Sequence, residues 1–503
     1  MSRRNRSRSR RARRTAKKRG RQVSSRRGRQ VRSRRDRDNL AALQRWFLGD
    51  DGVFAKLKFH GNTSWSPCRL VWLAILWSWS ERRHLTDAFT EATEGCRKVF
   101  GASPLNSYQG FLQVLARWAS PFMEILWSLL HARMQEIGGK FWRIDGWVPI
   151  AFDGSRSSAP RTKKNEQAFR APGYGKGKTA RYRKKKTKGM RRQRNKRNQP
   201  QTQTPQAWIT LMWHMGLRLP WTWRLGPSNS SERAHVMDML KTGKFPQNTL
   251  FCGDAGFVGY PLWSEILNGG GDFLVRVGAN VDLLTEVANC QFLEGDIVLC
   301  WPKAAQQAHR PPLRLRLVRT RIGQTRVWML TSVLDAAALT VPQMTRFYKK
   351  RWGIEVEFRG LKQTLDRAKL RSRDPQRLLA ELHWSIMAMA IAELFALKEQ
   401  LAARASRRTK KRPRPDPDKR SLAQTLRAIR QCLRNLDQVP APGRDLASAL
   451  RDAVTDNYQR TSSKKPRYRP PNPDKKPLGD PSLREPTAQE REQLERITGK
   501  TMI

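Results

Sequence analysis

Apolar residues recur at helical spacing over residues 40–139. The segments "NLAALQRWFL" at 39–48, residues 68–80, and "SYQGFLQVLARWASPFMEILWSLLHARMQEI" at 107–137 place them three or four positions apart. This spacing lines up one buried face of an α-helix. The pattern therefore predicts a helical domain, which beside a basic arm could bind DNA ends or could serve only for packing.

From residue 141 the pattern changes to that of strands. An apolar run ends at Asp153-Gly154, two strands are predicted over 207–227, and "NTLFCGDAGF" predicts a buried strand ending at Asp254. The remaining predicted elements are a short helix at "SERAHVMDML" with a Ser N-cap, a helix near "PLWSEIL", a strand at "DFLVRV", a mostly β stretch over 279–334 and a long helix from Val341-Pro342. This order predicts an α/β domain with an inserted β segment.

The charge of the chain is large and concentrated in blocks. Its 503 residues include 99 Lys or Arg against 42 Asp or Glu, a net charge of +57. Basic blocks occupy residues 1–37, 181–197 and 407–420, and the tail from 456 is rich in Pro, Lys and Arg. Such blocks bury too little apolar surface to fold alone, so we expect disordered arms and loops. So large a positive charge needs a polyanionic partner, and nucleic acid is the first candidate and an anionic membrane surface the second. The alternative is that the blocks are solvated tails that only aid solubility.

The cysteines and the apolar runs indicate a reduced compartment and a protein without a membrane span. The six cysteines are scattered with no CxxC pair, which gives no support to a zinc ribbon. The apolar run at 70–77 is too short to cross a bilayer, and the run at 384–397 contains Glu393. Both are predicted to be buried helices, and the protein is expected to be soluble and intracellular.

Asp153 and Asp254 each follow an apolar strand and have a glycine within two residues. The carboxyl ends of neighbouring strands form the ligand crevice of an α/β sheet. Two carboxylates there would repel each other unless a cation lay between them, and oxygen ligands suit Mg²⁺ or Mn²⁺. The alternative is that each Asp-Gly pair is only a turn, as is also possible for Asp145-Gly146.

The predicted helix after Val341 carries a mixed stripe. At about 100° per residue, Tyr348, Arg351, Glu355 and Lys362 fall within roughly 60° of one another, while Glu357 is turned about 160° from Glu355. A glutamate among basic residues suits a stripe that meets both a phosphate backbone and a metal ion. The alternative is an exposed helix with an ion pair between Arg351 and Glu355.

The spacing Tyr348, two residues, Arg351, three residues, Glu355, six residues, Lys362 resembles the Tyr-Arg-Glu-Lys signature of cut-and-paste DDE transposases of bacterial insertion sequences. "AFDGS" resembles the segment around the first Asp of that family, and "CGDAGF" with "DFLVRV" resembles the second. "LRSRDPQRLLAELHWSIMAMAIAEL" resembles the helix that follows the Glu segment. The resemblance covers roughly residues 145–400, whereas the basic loop at 170–200 and the N-terminal arm depart from it.

The resemblance implies an RNase H-like core with a β-rich insertion. It implies that Asp153, Asp254 and Glu355 are the catalytic residues and hold two Mg²⁺ (or Mn²⁺) ions. It assigns contacts with the transposon end to Tyr348, Arg351 and Lys362. A tryptophan of the insertion assists base flipping in some relatives, and both Trp301 and Trp328 are candidates here.

The chain is therefore predicted to have a basic arm at 1–39, a helical domain at 40–139, a catalytic domain at 140–400 and a basic C-terminal region at 401–503. The implied activity is Mg²⁺-dependent cleavage at transposon ends and strand transfer into target DNA. Its partners would be double-stranded DNA, both the terminal inverted repeats and the target, and a second copy of the chain in a synaptic homodimer. It would act in the bacterial cytoplasm, at the nucleoid. A nucleic-acid-binding protein derived from a transposase and an RNase H-like nuclease without strand transfer are the alternatives.

Overall fold

A computed structural model describes residues 38–63, 65–169, 204–286, 291–405, 416–436, 445–455 and 478–498. The predicted basic arm up to residue 37, the whole loop at 170–200 and most of the basic runs after 405 lie outside the described residues. The chain divides into a helical unit, from Met1–Arg133 and Ala380–Asp456, and a sheet unit, from Met134–Leu379 and Asn457–Ile503. The boundaries of these units differ from those of the predicted domains. The predicted catalytic domain ends at residue 400, whereas Ala380–Asp456 belongs to the helical unit.

The helical unit is built on apolar and aromatic side chains. Its helices span 38–48, Pro67–Trp79, Leu85–Phe100, most of Tyr108–Gly138, most of Pro375–Ala405, Leu422–Arg434 and Leu446–Arg451. Ser66 caps the second of them by accepting a hydrogen bond from the backbone N–H of Arg69. The helix Leu85–Phe100, which ends at Gly101 with φ of +81°, was not predicted.

One helix of the described residues is long and apolar enough to cross a membrane by composition, over Pro375–Ala402. Within its most apolar window, 89% of the residues are buried inside the fold, as in the core helix of a soluble protein. The predicted burial of the run at 384–397 is confirmed. The described cysteines are buried and form no disulfide with one another: Cys68, Cys96, Cys252, Cys300 and Cys432.

The sheet unit contains one mixed sheet of ten strands. The strands are β1 Val148–Ser158, β2 Gln206–His214, β3 Leu219–Pro227, β4 Thr249–Gly253, β5 Asp272–Val277, β6 Asp282–Thr285, β7 Asp296–Cys300, β8 Leu313–Ile322, β9 Thr325–Thr331 and β10 Ser482–Arg484. Their order is β10-β6-β7-β8-β9-β5-β4-β1-β2-β3. The helices of this unit span Lys163–Phe169, Glu232–Thr242, Tyr260–Asn268, Lys303–Gln307, Val341–Arg351, Gly353–Arg359 and Ala488–Thr498. The predicted α/β class is therefore confirmed.

The two halves of the sheet differ in strand direction. In the first half, β1 pairs antiparallel with β2 and parallel with β4, and β4 pairs parallel with β5. The predicted β stretch at 279–334 forms β6 to β9, which join the same sheet as antiparallel neighbours beyond β5. The insertion thus extends the sheet. The short strand β10, which pairs with β6, has no counterpart among the predictions.

Two predicted elements end in other places than expected. β1 does not end at Asp153, because β2 pairs with it as far as Ser158; only its other neighbour, β4, stops. The predicted long helix starts at Val341 with a capping box between Thr340 and Gln343, but it is broken after Arg351. A second helix, Gly353–Arg359, and a π-helical turn, Gly360–Thr364, follow. Both later segments begin with glycine, which has a weak helix propensity.

Candidate active site

Asp153 and Asp254 lie at the same level of adjacent parallel strands. The last pair in the register of β1 and β4 is Ala151 with Cys252, and each aspartate follows two residues later. Because β4 ends at Gly253 while β1 continues, Asp153 lies where β1 no longer has a partner on that side. The two aspartates therefore lie where a ligand crevice is predicted, at the carboxyl ends of adjacent parallel strands, although only Asp254 stands at the end of its own strand.

Asp153 is a largely buried carboxylate, with 19% of its side chain exposed. Burial raises its pKa to about 6, and the nearby carboxylates of Asp254 and Glu355 contribute to the increase. The backbone N–H of Gly154, which donates to Asp153 Oδ1 at 2.8 Å, and the charge of Arg351 oppose this shift. The charge of Asp153 thus interacts with both other predicted catalytic carboxylates.

The two glutamates of the helix Gly353–Arg359 have different surroundings. Glu355 is exposed, whereas Glu357 is buried, in agreement with the opposite faces expected from their spacing. Gly353 allows this helix to approach the sheet, because a Cβ atom there would lie 2.8 Å from Cζ3 of Trp213 on β2. The same helix carries Glu355, whose charge raises the pKa of Asp153.

The predicted DNA contacts do not form an exposed stripe. Tyr348 and Arg351 are both buried, and the Arg351 guanidinium lies over the Tyr348 ring at 5.3 Å. Arg351 Nη1 is 3.9 Å from Asp153 Oδ2, so its ion pair is with Asp153 and not with Glu355. Lys362 Nζ donates to Ser155 Oγ on β1 at 2.6 Å. The stripe was derived for one straight helix, and the break after Arg351 instead turns Arg351 and Lys362 towards β1.

Arg351 is the only one of these three side chains with buried nitrogen atoms that lack a hydrogen bond. Its side chain is 4% exposed, and both Nε and Nη1 have no hydrogen-bond partner among the described residues. A buried guanidinium with unsatisfied N–H groups is costly unless an acceptor completes it. Arg351 therefore has the donors for an oxyanion, such as a phosphate, beside Asp153.

The remaining candidates separate into turn, core and surface positions. Asp145 and Gly146 have φ of +50° and +85° in a turn between the paired residues Ile144 and Trp147, and Asp145 forms an ion pair with Arg346. Trp301 is buried and donates to a backbone oxygen. Trp328 is half-buried and donates to Asp480.

Two residues near the site were not predicted. Glu232 is the first residue of the helix Glu232–Thr242, and burial together with the charges of Asp153 and Asp254 raises its pKa to about 7. Trp352 is 54% exposed between Arg351 and the helix of Glu355. Their sequence contexts, a glutamate after an N-cap serine and a tryptophan in a helical run, are too common to indicate a site.

The donor set suits a divalent cation. Asp153, Asp254 and Glu355 offer oxygen ligands only, as Mg²⁺ and Mn²⁺ prefer, and their mutual repulsion would be relieved by a cation. Among the described residues, no three His, Cys, Asp or Glu side chains lie close enough together to hold a metal ion as they stand. The carboxylates would therefore have to close in as a metal binds, which the exposed Glu355 is free to do.

Residues 148–391 match the model of a family described as "Transposase DDE domain". The match covers just under half of the chain and contains Asp153, Asp254 and Glu355, and it supports a DDE transposase. The chain is also similar to a solved structure described as "Cryo-EM structure of piggyBac transposase synaptic complex with hairpin DNA (SNHP)". The identity is 12%, the similarity covers 84% of this chain and 86% of that chain, and the TM-score is 0.38. No curated protein matches the sequence.

Proposed function

We propose that this protein is a DDE transposase of the bacterial insertion-sequence type, which cleaves the ends of its element and joins them to target DNA with Mg²⁺. The observation that carries the proposal is that Asp153 and Asp254 follow the last paired residues of the adjacent strands β1 and β4, with Glu355 near enough for its charge to raise the pKa of Asp153, inside the segment that matches the transposase domain. A protein that only bound DNA would gain nothing from clustered carboxylates in a strongly basic chain.

We further propose that the sheet unit has an RNase H-like core. Support comes from the order β3-β2-β1-β4-β5, with β1 antiparallel to β2 and parallel to β4. The first aspartate lies on the central strand and the second directly after its parallel neighbour. The final carboxylate is supplied by a helix beyond the inserted strands β6 to β9.

In the proposed mechanism, Asp153, Asp254 and Glu355 hold Mg²⁺ at the crevice. When bound, two such ions activate a water or a 3′-OH as nucleophile and stabilise the departing 3′ oxygen. Arg351, with its unsatisfied N–H groups at the crevice, would hold the oxygens of the reacting phosphate. Lys362 reaches the same strand through Ser155 and would add a positive charge beside the DNA backbone. Each step exchanges one phosphodiester bond for another, so the residues need to supply only position and charge.

The remaining features of the proposal follow from this activity. The DNA partner would carry terminal inverted repeats, and two copies of the chain would hold the two ends in a synaptic homodimer. Action on such DNA would take place at the nucleoid, in the cytoplasm. The basic arm and the loop at 170–200 would supply affinity for phosphates that does not depend on sequence.

The test uses the DNA that flanks the coding gene. Short inverted repeats within a direct duplication are expected there, and a labelled duplex of one repeat should be nicked by the full-length chain in the presence of Mg²⁺. Glu355→Gln should nick at least about 100-fold more slowly while it binds the duplex as before. Glu265→Gln, a half-buried change on the helix Tyr260–Asn268, is the matched control and should nick normally.

Two outcomes would decide against the proposal. Full nicking by Glu355→Gln would remove the enzymatic assignment of the carboxylates. Nicking without joining of a pre-cleaved end to a plasmid would favour an RNase H-like nuclease, and binding without nicking by the unaltered chain would favour a DNA-binding protein.

A further inference from the structure

Glu232 stands at a fixed position on the edge of the crevice. It opens the helix Glu232–Thr242, the next element after β3. Ser231 caps this helix, because its side chain accepts a hydrogen bond from the backbone N–H of Ala234 at 3.3 Å. The cap holds the first turn, and with it the backbone of Glu232, in place.

The carboxylate of Glu232 occupies a niche that exists because residue 154 is glycine. A Cβ atom on Gly154 would lie 2.6 Å from Cδ and 2.8 Å from Cγ of Glu232, so any other residue would displace the glutamate. The backbone N–H of Gly154 donates to Asp153 Oδ1. The carboxylates of Glu232 and Asp153 therefore both lie against the backbone of β1 at residues 153 and 154.

The surroundings of Glu232 are unfavourable for an anion in the metal-free chain. Its side chain is half-buried and forms no hydrogen bond or ion pair with any residue that the structure describes. Burial raises its pKa most, Asp153 and Asp254 raise it further, and Arg156 opposes them weakly from a position over the Trp208 ring. A carboxylate held beside two others without a cation lacks a partner that a divalent ion would supply.

An independent observation also indicates a ligand at this place. Arg351 is buried, has two nitrogen atoms without hydrogen bonds to described residues, and approaches Asp153 to 3.9 Å. The site thus combines the neighbouring carboxylates of Asp153, Asp254 and Glu232 with a guanidinium that pairs with Asp153 at 3.9 Å but leaves Nε and Nη1 without hydrogen bonds in the described part of the chain. A metal ion together with a phosphate would complete both sets of groups.

We propose that Glu232 is a fourth carboxylate ligand of the metal site, which holds an ion together with Asp153 and Asp254. The inference rests on the proposed function and adds a ligand to it. The competing explanation is structural, because an acidic residue in the first turn of a helix is stabilised by the helix dipole. That explanation accounts for the residue type but requires neither the niche at Gly154 nor the proximity of the two aspartates.

The test measures Mn²⁺ binding to the full-length chain without DNA, by titration calorimetry at about pH 7.5, above the raised pKa values of Asp153 and Glu232. Glu232→Gln keeps the size of the side chain and removes its charge, and it should raise the Kd for Mn²⁺ about tenfold or more, equivalent to about 1.4 kcal/mol. Asp254→Asn should weaken binding at least as much. Glu265→Gln, on the helix Tyr260–Asn268, should bind Mn²⁺ like the unaltered chain.

Thermal unfolding in EDTA separates a ligand from a helix-stabilising residue. If Glu232 is a ligand, Glu232→Gln should unfold at the same or a higher temperature than the unaltered chain, because a repelled charge is removed. A lower unfolding temperature would assign it to the helix dipole and overturn the proposal. Unchanged Mn²⁺ affinity in Glu232→Gln with weaker binding in Asp254→Asn would also overturn it while leaving the transposase proposal intact. Mn²⁺ binding that is unchanged in both variants would contradict the carboxylate site itself.

Discussion

The burial of Asp153 predicts that its removal stabilises the metal-free protein. Its pKa is raised from 3.8 to about 6, and one pKa unit corresponds to about 1.36 kcal/mol. The ionised carboxylate therefore costs the folded state up to about 3 kcal/mol at neutral pH, even with the attraction of Arg351 included. Asp153→Asn keeps an oxygen that can accept from Gly154 and removes the charge. We expect it to unfold with a free energy about 2–3 kcal/mol higher in EDTA at about pH 7.5.

The pH dependence gives this prediction a definite sign. Because the pKa of Asp153 is raised in the folded state, the folded chain retains a proton between about pH 4 and pH 6 that the unfolded chain has released. The stability of the unaltered chain therefore falls as pH rises through this window. The advantage of Asp153→Asn should be absent near the lower end of the window and complete above its upper end.

The assay is urea unfolding followed by tryptophan fluorescence, at steps between about pH 4.5 and 7.5, with and without Mn²⁺. Mn²⁺ should stabilise the unaltered chain and have little effect on the variant. An advantage for Asp153→Asn that did not change with pH, or a decrease in stability at the highest pH, would refute the view that the buried charge is unfavourable without a metal ion.

Four further changes test other parts of the structure. Lys362→Met should weaken binding of the element's end severalfold and leave Mn²⁺ binding unchanged, as measured by mobility shift and calorimetry; equal end binding would exclude a phosphate contact. Gly353→Ala should lower the free energy of unfolding by about 1–3 kcal/mol through its clash with Trp213, and unaltered stability in urea would mean that the helix can move away. Deletion of residues 1–37 should reduce the slope of log affinity against log salt by about 0.9 for every phosphate that the arm binds, whereas an unchanged slope would show that the arm does not touch DNA. Asp145→Asn should leave nicking intact, since Asp145 lies in a turn; a nicking defect would place it in the site.

Glu357 is a poor control for Glu355, because its side chain is buried. Its spacing from Glu355 indicates the opposite helix face, and the structure has Glu355 exposed and Glu357 buried. A substitution of Glu357 would therefore alter packing as well as charge, and reduced activity could follow from either. Glu265, which is half-buried on another helix, provides the cleaner comparison.

The order of elements and the identity of the carboxylates can be read from the chain alone. Alternating and continuous apolar runs predicted the strands β1 to β5, and the N-cap Ser231 and the first-turn Pro342 are local signals that act within one turn of helix. Asp153, Asp254 and Glu355 could be named because their segments have residue spacings that resemble a known family. These properties depend on neighbours along the chain, so the linear pattern is enough to predict them.

Which groups meet at the crevice depends instead on the packing of distant segments. Arg351 and Lys362 were predicted on an outer stripe of one straight helix, but the break after Arg351 turns both side chains towards β1. The helix breaks because Gly353 and Gly360 are weak helix formers and because the second helix packs against Trp213. Glu232 and Gly154 are 78 residues apart in the chain, and their contact depends on how β3 and its following helix pack against β1. Whether a carboxylate is solvated or desolvated is set by such distant contacts, and the chemistry of this site depends on that difference.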